Sequence, residues 1–434
     1  MQEQLFRPAD KLSVWLEHNS DWIRLRYEID QEFSGSLEFR ASFETSGVEN
    51  HLFDFLGTCG AIFLAQLCLA SRVDLNFSSN ASLFSGLEPT IRTLYAVRAF
   101  RDGIEPTPRP HFNMLLPRSA WQQEHLAPNQ RAILLWSGGL DSTLSLLLLK
   151  GNGYDVIPLH VSYASADAGN SELEAVQRLS LQLGMVFETV DIHFSQFLTI
   201  ATRYSVNARD FPGINSVPHG RELIILPIAL IFALKVGASN ICFGFENSAW
   251  TEQFEHEGKR YSRYDTQSEF CNINLQDVVH NFVSPSVSLF SPVAPITEYR
   301  KFRTIVTQFP DLVRDASFCY WGETCGLCSK CAMYYLFQRS LGLDVIRFKH
   351  DPIREETAFI RKAMLNWSSP NSRDSNFALA KIVANGDVRP GEELLIEYRD
   401  KIYPNIQHSL EDWENELMRT RSVALLPANF NMEL

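Results

Sequence analysis

The sequence has no uncharged apolar stretch near its start. MQEQLFRPADKLSVW scatters charges throughout, which argues against a secretory leader. Two apolar stretches are candidates for a membrane span, and neither is read as one: residues 223–234 are too few and are broken by Pro227. Residues 53–70 carry Asp54, Gly57, Gly60 and Gln66, and read as a buried helix. Positive charge is scarce. Against 51 Asp+Glu stand 39 Lys+Arg, for a net charge of −12, which speaks against a long nucleic acid as the main substrate. Internal repeats and low-complexity tracts are also missing. Without a leader, a disulfide framework is not expected of the eight cysteines. These absences point to a globular cytoplasmic protein with no membrane role.

What is present is an ordinary globular balance, 45% hydrophobic and 21% charged. At 434 residues the chain exceeds one core, so two or three domains are expected. Residues 1–125 read as an accessory α+β unit: alternation in 22–27 (WIRLRY) and 37–43 (LEFRASF) predicts strands. That unit closes in the Pro-rich passage 105–110 (EPTPRP), carries no catalytic signature, and suits partner binding. From about residue 126 to 343 the rhythm becomes buried strand, turn, helix. Strands are predicted at 132–136, 156–161, 186–190 and 240–245, and helices at 142–150, 171–183 and 221–236. Such alternation implies right-handed crossovers and a doubly wound, parallel α/β sheet. Residues 344–434 show no further βα alternation and read as a mostly helical extension.

Between the first of those strands and its helix lies Ser137-Gly138-Gly139-Leu140-Asp141-Ser142-Thr143. Adjacent glycines let successive N–H groups face one concavity, and the helix adds its positive end. Ser137, Ser142 and Thr143 add hydroxyl donors. Asp141 could cap the helix or help hold the Mg²⁺ that accompanies a polyphosphate. A plain strand-to-helix turn is the bland alternative, but the full string in this context favours an anion site. The turn has neither a Walker lysine (GxxxxGK) nor GxGxxG, which excludes a P-loop NTPase and a dinucleotide dehydrogenase.

The second constellation is Cys319-x5-Cys325-x2-Cys328-x2-Cys331. Two CxxC spacings and a fourth thiolate just upstream suit a tetrahedral ion, and a closed four-sulfur shell leaves no position for water. A structural Zn²⁺ is expected, with an iron–sulfur cluster as the alternative donor-set reading.

SGGxDS after the first strand resembles the signature of PP-loop (HUP-like) ATP pyrophosphatases. Combined with the four-cysteine knot, it resembles the QueC branch, the 7-cyano-7-deazaguanine synthases, over roughly residues 130–340. Val217-Pro218-His219-Gly220-Arg221-Glu222 is similar to that family's VPxRN segment. Tyr264-Asp265-Thr266-Gln267-Ser268-Glu269-Phe270 is a loose counterpart of its YPDCRPEF loop. The chain departs from the family at Ser162–Ala166, where DYGQ is usual, and in an insertion at 251–261. It also has Glu298 beside Thr297, where a lysine is expected.

The resemblance implies ATP as a substrate gripped by Ser137–Thr143. Asp141 and Arg221 would be catalytic, and His219, Glu222, Asp265 and Glu269 would face a deazaguanine. His219 has an ordinary reading as a loop histidine, Asp265 and Glu269 as solvated loop charges, and Arg221 as a surface ion-pair partner; Glu222 stands where the family usually has Asn. The implied reaction adenylates 7-carboxy-7-deazaguanine, passes it to ammonia and dehydrates the amide to the nitrile. The long N-terminal region and altered loop resemble QueC-like subunits of anti-phage defence operons, in which a partner protein's amine could replace ammonia. Two rivals stand beside this: a nucleotide-binding scaffold subunit, and a tRNA-modifying PP-loop enzyme.

Overall fold

A computed structural model describes residues 8–102, 110–117, 123–124, 126–163, 167–195, 200, 220–247, 253–256, 259–262, 265–319, 324–355, 357–365 and 373–433. Its backbone is one ten-stranded sheet. The N-terminal part supplies β1 (Lys11–His18), β2 (Ile23–Ile29), β3 (Phe33–Ala41), β4 (Arg72–Ser79) and β5 (His111–Pro117), with helices α1 (Asn50–Cys68) and α2 (Ala81–Asp102). The central part supplies β6 (Arg131–Leu135), α3 (Leu140–Gly151), β7 (Asp155–Tyr163), α4 (Asp167–Leu183), β8 (Glu188–Phe194), α5 (Glu222–Val236) and β9 (Asn240–Cys242). After a short hairpin of β10 (Gln253–His256) and β11 (Lys259–Ser262) come α6 (Glu269–Phe282) and β12 (Ser288–Phe290).

The strand order is β12-β9-β6-β7-β8-β3-β2-β1-β4-β5. From β12 to β8 all neighbours are parallel. The β1–β2–β3 meander is antiparallel, and β3 joins β8 antiparallel with Leu37 opposite Phe194 and Ala41 opposite Val190. The expected doubly wound α/β sheet is therefore present. The N-terminal strands continue it edge to edge, and one hydrophobic core runs through both parts.

Burial explains the two most apolar helices. α1 is long and apolar enough to cross a membrane by length and composition, yet His51 to Cys68 are all buried inside the fold. α1 and α5 pack against each other, and a helix apolar on all sides needs such cover. In α5, Leu223, Ile224, Leu226 and Leu230 are each buried to within about one per cent of full. At roughly 1.5–3 kcal/mol per buried aliphatic side chain, this seam outweighs the helix's internal Pro227. The opposite face of the N-terminal strands carries ion pairs, Lys11–Asp74, Arg24–Glu38 and Arg26–Glu17. It also holds a concavity of about 430 Å³ lined in part by Trp15, Arg26, Tyr27 and Ser195.

The C-terminal part is helical, as its sequence suggests. α7 (Glu298–Gln308), α8 (Pro310–Asp315) and α9 (Ser329–Ser340) precede α10 (Ala358–Leu365), α11 (Arg373–Ala384), α12 (Glu393–Lys401), α13 (Tyr403–Ile406) and α14 (Leu410–Met418). They share a second core around Tyr299, Phe302, Phe337, Phe377 and Tyr398. A fork of Arg339 onto the fully buried Glu392, at 2.6 and 2.9 Å, ties α9 to the start of α12. The last residues return to the central part. The Arg421 guanidinium donates to Asn247 at 2.6 Å, and Asn431 and Asn152 exchange two hydrogen bonds.

Candidate functional site

β6 ends at Leu135, and the buried Trp136 extends the strand by donating its N–H to Leu159 at 2.9 Å. The chain then turns through Gly138, whose φ of +71° favours glycine. A Cβ there would also lie 3.0 Å from the Val176 nitrogen of α4. Gly139 caps α3 with no side-chain hydrogen bond. The first-turn amides of Leu140, Asp141 and Ser142 therefore have no partner within the helix. The Ser137 and Ser142 hydroxyls lie 3.3 Å apart beside them. Backbone and hydroxyl donors are thus gathered at a helix N-terminus, an arrangement able to receive an anion.

Asp141 does not cap α3. Its carboxylate pairs with Lys301 of α7, a lysine with no exposed side-chain surface. Lys301 also lies 2.6 Å from Glu298, which accepts a 2.6 Å hydrogen bond from the Tyr334 hydroxyl and has Lys330 at 3.4 Å. Burial opposes the charge on Lys301, yet Asp141 and Glu298 hold its ammonium above an ordinary lysine. Burial likewise opposes ionisation of Glu298, but Lys301 and Lys330 outweigh it and keep that carboxyl below the usual range. Sequence reasoning missed Lys301. It looked for a lysine beside Thr297 and found Glu298; the ammonium comes from three residues later, on the same face of α7.

The four cysteines form a single buried cluster, their sulfurs all within 4.8 Å of one another. Cys325 and Cys331 sulfurs are 3.9 Å apart, and those of Cys319 and Cys328 are 4.0 Å apart. Zinc–sulfur bonds of about 2.3 Å place tetrahedral sulfurs roughly 3.8 Å apart. Backbone N–H groups of Cys325, Leu327, Cys328 and Cys331 point at the sulfurs over 3.3–3.5 Å, which suits thiolates. The donor set fits a closed four-coordinate ion.

Along the rim formed by the carboxyl ends of the parallel strands, away from the glycine turn, α5 begins at Glu222. Its carboxylate accepts from the Thr266 hydroxyl and, at 2.8 Å, from the Gln267 side chain. It thereby clamps α5 to the 3-10 turn at Asp265–Gln267. Arg221 lies 3.4 Å from Glu222 and also faces Glu172 of α4, whose carboxyl is pushed up by burial and pulled back by that guanidinium. Glu269 accepts the N–H of Ala424 at 2.8 Å, so it anchors the returning C-terminal segment. His219 lies outside the described residues, as does the side chain of Asp265. Gly220 presses on the N-terminal helices: a Cβ there would meet Leu94 of α2 at 2.9 Å. α2 further holds α6 through Thr90, which donates to Asn274 at 2.7 Å.

Comparison with known proteins places a family likeness over the stretch that holds both the glycine turn and the four-cysteine knot. The family model described as Queuosine biosynthesis protein QueC matches residues 131–336. Residues 131–336 form a QueC-like domain. The 7-cyano-7-deazaguanine synthase of Polynucleobacter asymbioticus is 26% identical over 242 residues, 52% of this chain and 96% of the relative. That of Methanothrix thermoacetophila is 29% identical over 218 residues, 46% of this chain and 90% of the relative. That of Coxiella burnetii is 25% identical over 243 residues, covering 54% and 99%. The aligned stretches thus cover nearly the whole of these relatives and about half of this chain. The helices α10–α14 and strands β1–β5 lie outside the residues that the family model matches.

Proposed function

We propose that the chain is an ATP-dependent, AMP-forming enzyme of QueC type that activates the carboxylate of a 7-deazaguanine. The feature that carries this reading is the cluster of donors at Ser137–Thr143, backed by the pairing of Asp141 with the buried Lys301. The relatives named above are synthases of 7-cyano-7-deazaguanine, which supplies the substrate class. In the first step a carboxylate oxygen of 7-carboxy-7-deazaguanine bonds to the α-phosphorus. The bond to the bridging oxygen breaks, and pyrophosphate leaves with its electrons. The amides of Leu140, Asp141 and Ser142 receive the charge that develops on the phosphates, preorganised and so needing no reorientation. Mg²⁺ would be held by Asp141 and the phosphates, and Arg221 would face the reacting acyl phosphate. A nitrogen nucleophile then attacks the acyl carbon, loses a proton and expels AMP. With ammonia the product is the amide, and a second activation removes its oxygen to give the nitrile. Zn²⁺ in the knot serves as a structural ion.

In the finer reading, the chain is a cytoplasmic variant acting in anti-phage defence, in which an amine of a partner protein takes the place of ammonia. The polar face of β1–β3, with its 430 Å³ concavity, supports a partner there. The loss of the family's substrate-loop residues around Asp265 supports a changed acceptor. The test is an incubation with α-labelled ATP, Mg²⁺ and 7-carboxy-7-deazaguanine, with and without ammonia. AMP that appears only with the deazaguanine supports the enzyme. Nitrile formation from ammonia alone at a rate unaffected by any partner would sink the variant reading, and no AMP in either arm would sink the activity.

A further inference from the structure

The knot and the phosphate loop touch through two separate routes. The first is backbone. Ser317, two residues before Cys319, donates its N–H to the Gly138 carbonyl at 2.8 Å. The second is a chain of charges whose centre is buried. Cys328 is the N-cap of α9 and accepts from the Cys331 N–H, so a metal ligand fixes the first turn of that helix. That turn carries Lys330, and the next carries Tyr334. Both reach Glu298, at 3.4 and 2.6 Å; Glu298 grips Lys301, and Lys301 grips Asp141 inside the loop. Phe318 closes the circuit, its ring edge-on to Tyr334 with centroids 4.9 Å apart. Tyr334, Glu298 and Lys301 are all buried.

We infer that the cysteine knot sets the geometry of the phosphate loop, with Tyr334, Lys330, Glu298 and Lys301 as positioning residues that act through Asp141. An ammonium with no access to water cannot leave its carboxylates without becoming an unpaired buried charge. The chain of pairs therefore has few alternative arrangements, and a displacement of the first turn of α9 reaches Asp141 largely undiminished. A knot that only pins its own irregular segment would lack this coupling.

The inference rests on the nucleotide reading above for its functional consequence, so the test has one arm that needs no nucleotide. Hydrogen exchange by mass spectrometry is followed in the full-length chain at residues 139–146, in zinc-loaded protein, after chelation, and in Tyr334→Phe and Lys330→Met. Pyrophosphate affinity is measured alongside by calorimetry. Chelation is expected to speed exchange at 139–146 and weaken pyrophosphate binding by about tenfold. Tyr334→Phe and Lys330→Met should do the same by a smaller factor, with zinc content intact and exchange in β1–β3 unchanged. The inference is overturned if the knot segment opens on chelation while residues 139–146 and pyrophosphate affinity stay as they were. Should chelation open the whole chain, the two variants decide: full zinc with an unaltered loop overturns it. If the wild-type chain binds neither ATP nor pyrophosphate, the nucleotide reading fails, and the exchange arm still judges the coupling.

Discussion

On the phosphate side of the carboxyl rim, the working groups sit in one strand–turn–helix unit and are steadied by buried ions of α7 and a buried hydroxyl of α9. On the α5 side, the polar groups come from distant stretches and are largely engaged with one another, Glu222 with Thr266 and Gln267, and Glu269 with Ala424. The first side leans on the C-terminal half of the chain, the second on the N-terminal helices through Gly220 and Asn274. The difference teaches where an enzyme of this build can change. A phosphate concavity made of main-chain amides tolerates little, whereas a side-chain clamp between separate elements can be re-dressed when a new region packs beside it.

The largest expected effect breaks the phosphate side alone. Gly138→Val puts a β-branched residue at a φ of +71° with Val176 in its way. AMP formation should fall by about 100-fold or more, since the amides no longer converge. A wild-type rate would remove the loop from the mechanism. Next, Glu222→Ala should cost about 2–4 kcal/mol, because it leaves the Thr266 and Gln267 donors facing a void. The urea midpoint would report it, and affinity for ATP with Mg²⁺ should stay within about twofold, as expected of independent sites. Collapse of ATP binding would mean that the two sides are one unit.

The smallest effect sharpens the phosphate side. Asp374, in the first turn of α11, accepts from the Tyr299 N–H at 2.8 Å, and burial pushes its carboxyl from 3.8 to about 6. A raised acid contributes stability that is complete below 3.8 and is lost as pH rises through about 6. Asp374→Asn should therefore stabilise the chain at pH 8 by about 1–2 kcal/mol and have little effect near pH 4. Equal shifts at both pH values would show that ionisation of this carboxyl is not the source.

How much of this could be read beforehand follows from how local each signal is. The Ser137–Thr143 turn and the Cys319–Cys331 spacing are contiguous, and the structure folds each as a unit. Alternation in WIRLRY foretold β2, because each residue's face is set by its neighbours. Nothing local says that β3 pairs with β8, since strand partners are chosen by the whole sheet. Lys301 was hidden for a related reason: its partner Asp141 is far off in sequence, and the helical spacing from Glu298 was the only nearby clue. Glu222 was visible as a carboxylate near the site, but its engagement with Thr266 depends on a turn that the motif does not contain.

The β3–β8 pairing has a consequence for how this chain meets other chains. A sheet that stopped at β8 would offer a row of open main-chain groups beside the phosphate loop, ready to accept a strand from a neighbour. Here that row is filled from within, and among the described residues the open edge on this flank lies at β5. At about 4.8 Å per strand, β5 stands roughly 34 Å from β6. It is bracketed by Pro110 and Pro117, which cannot donate to a further strand. Growth of the sheet by accident is thereby kept away from the site and discouraged where it remains open.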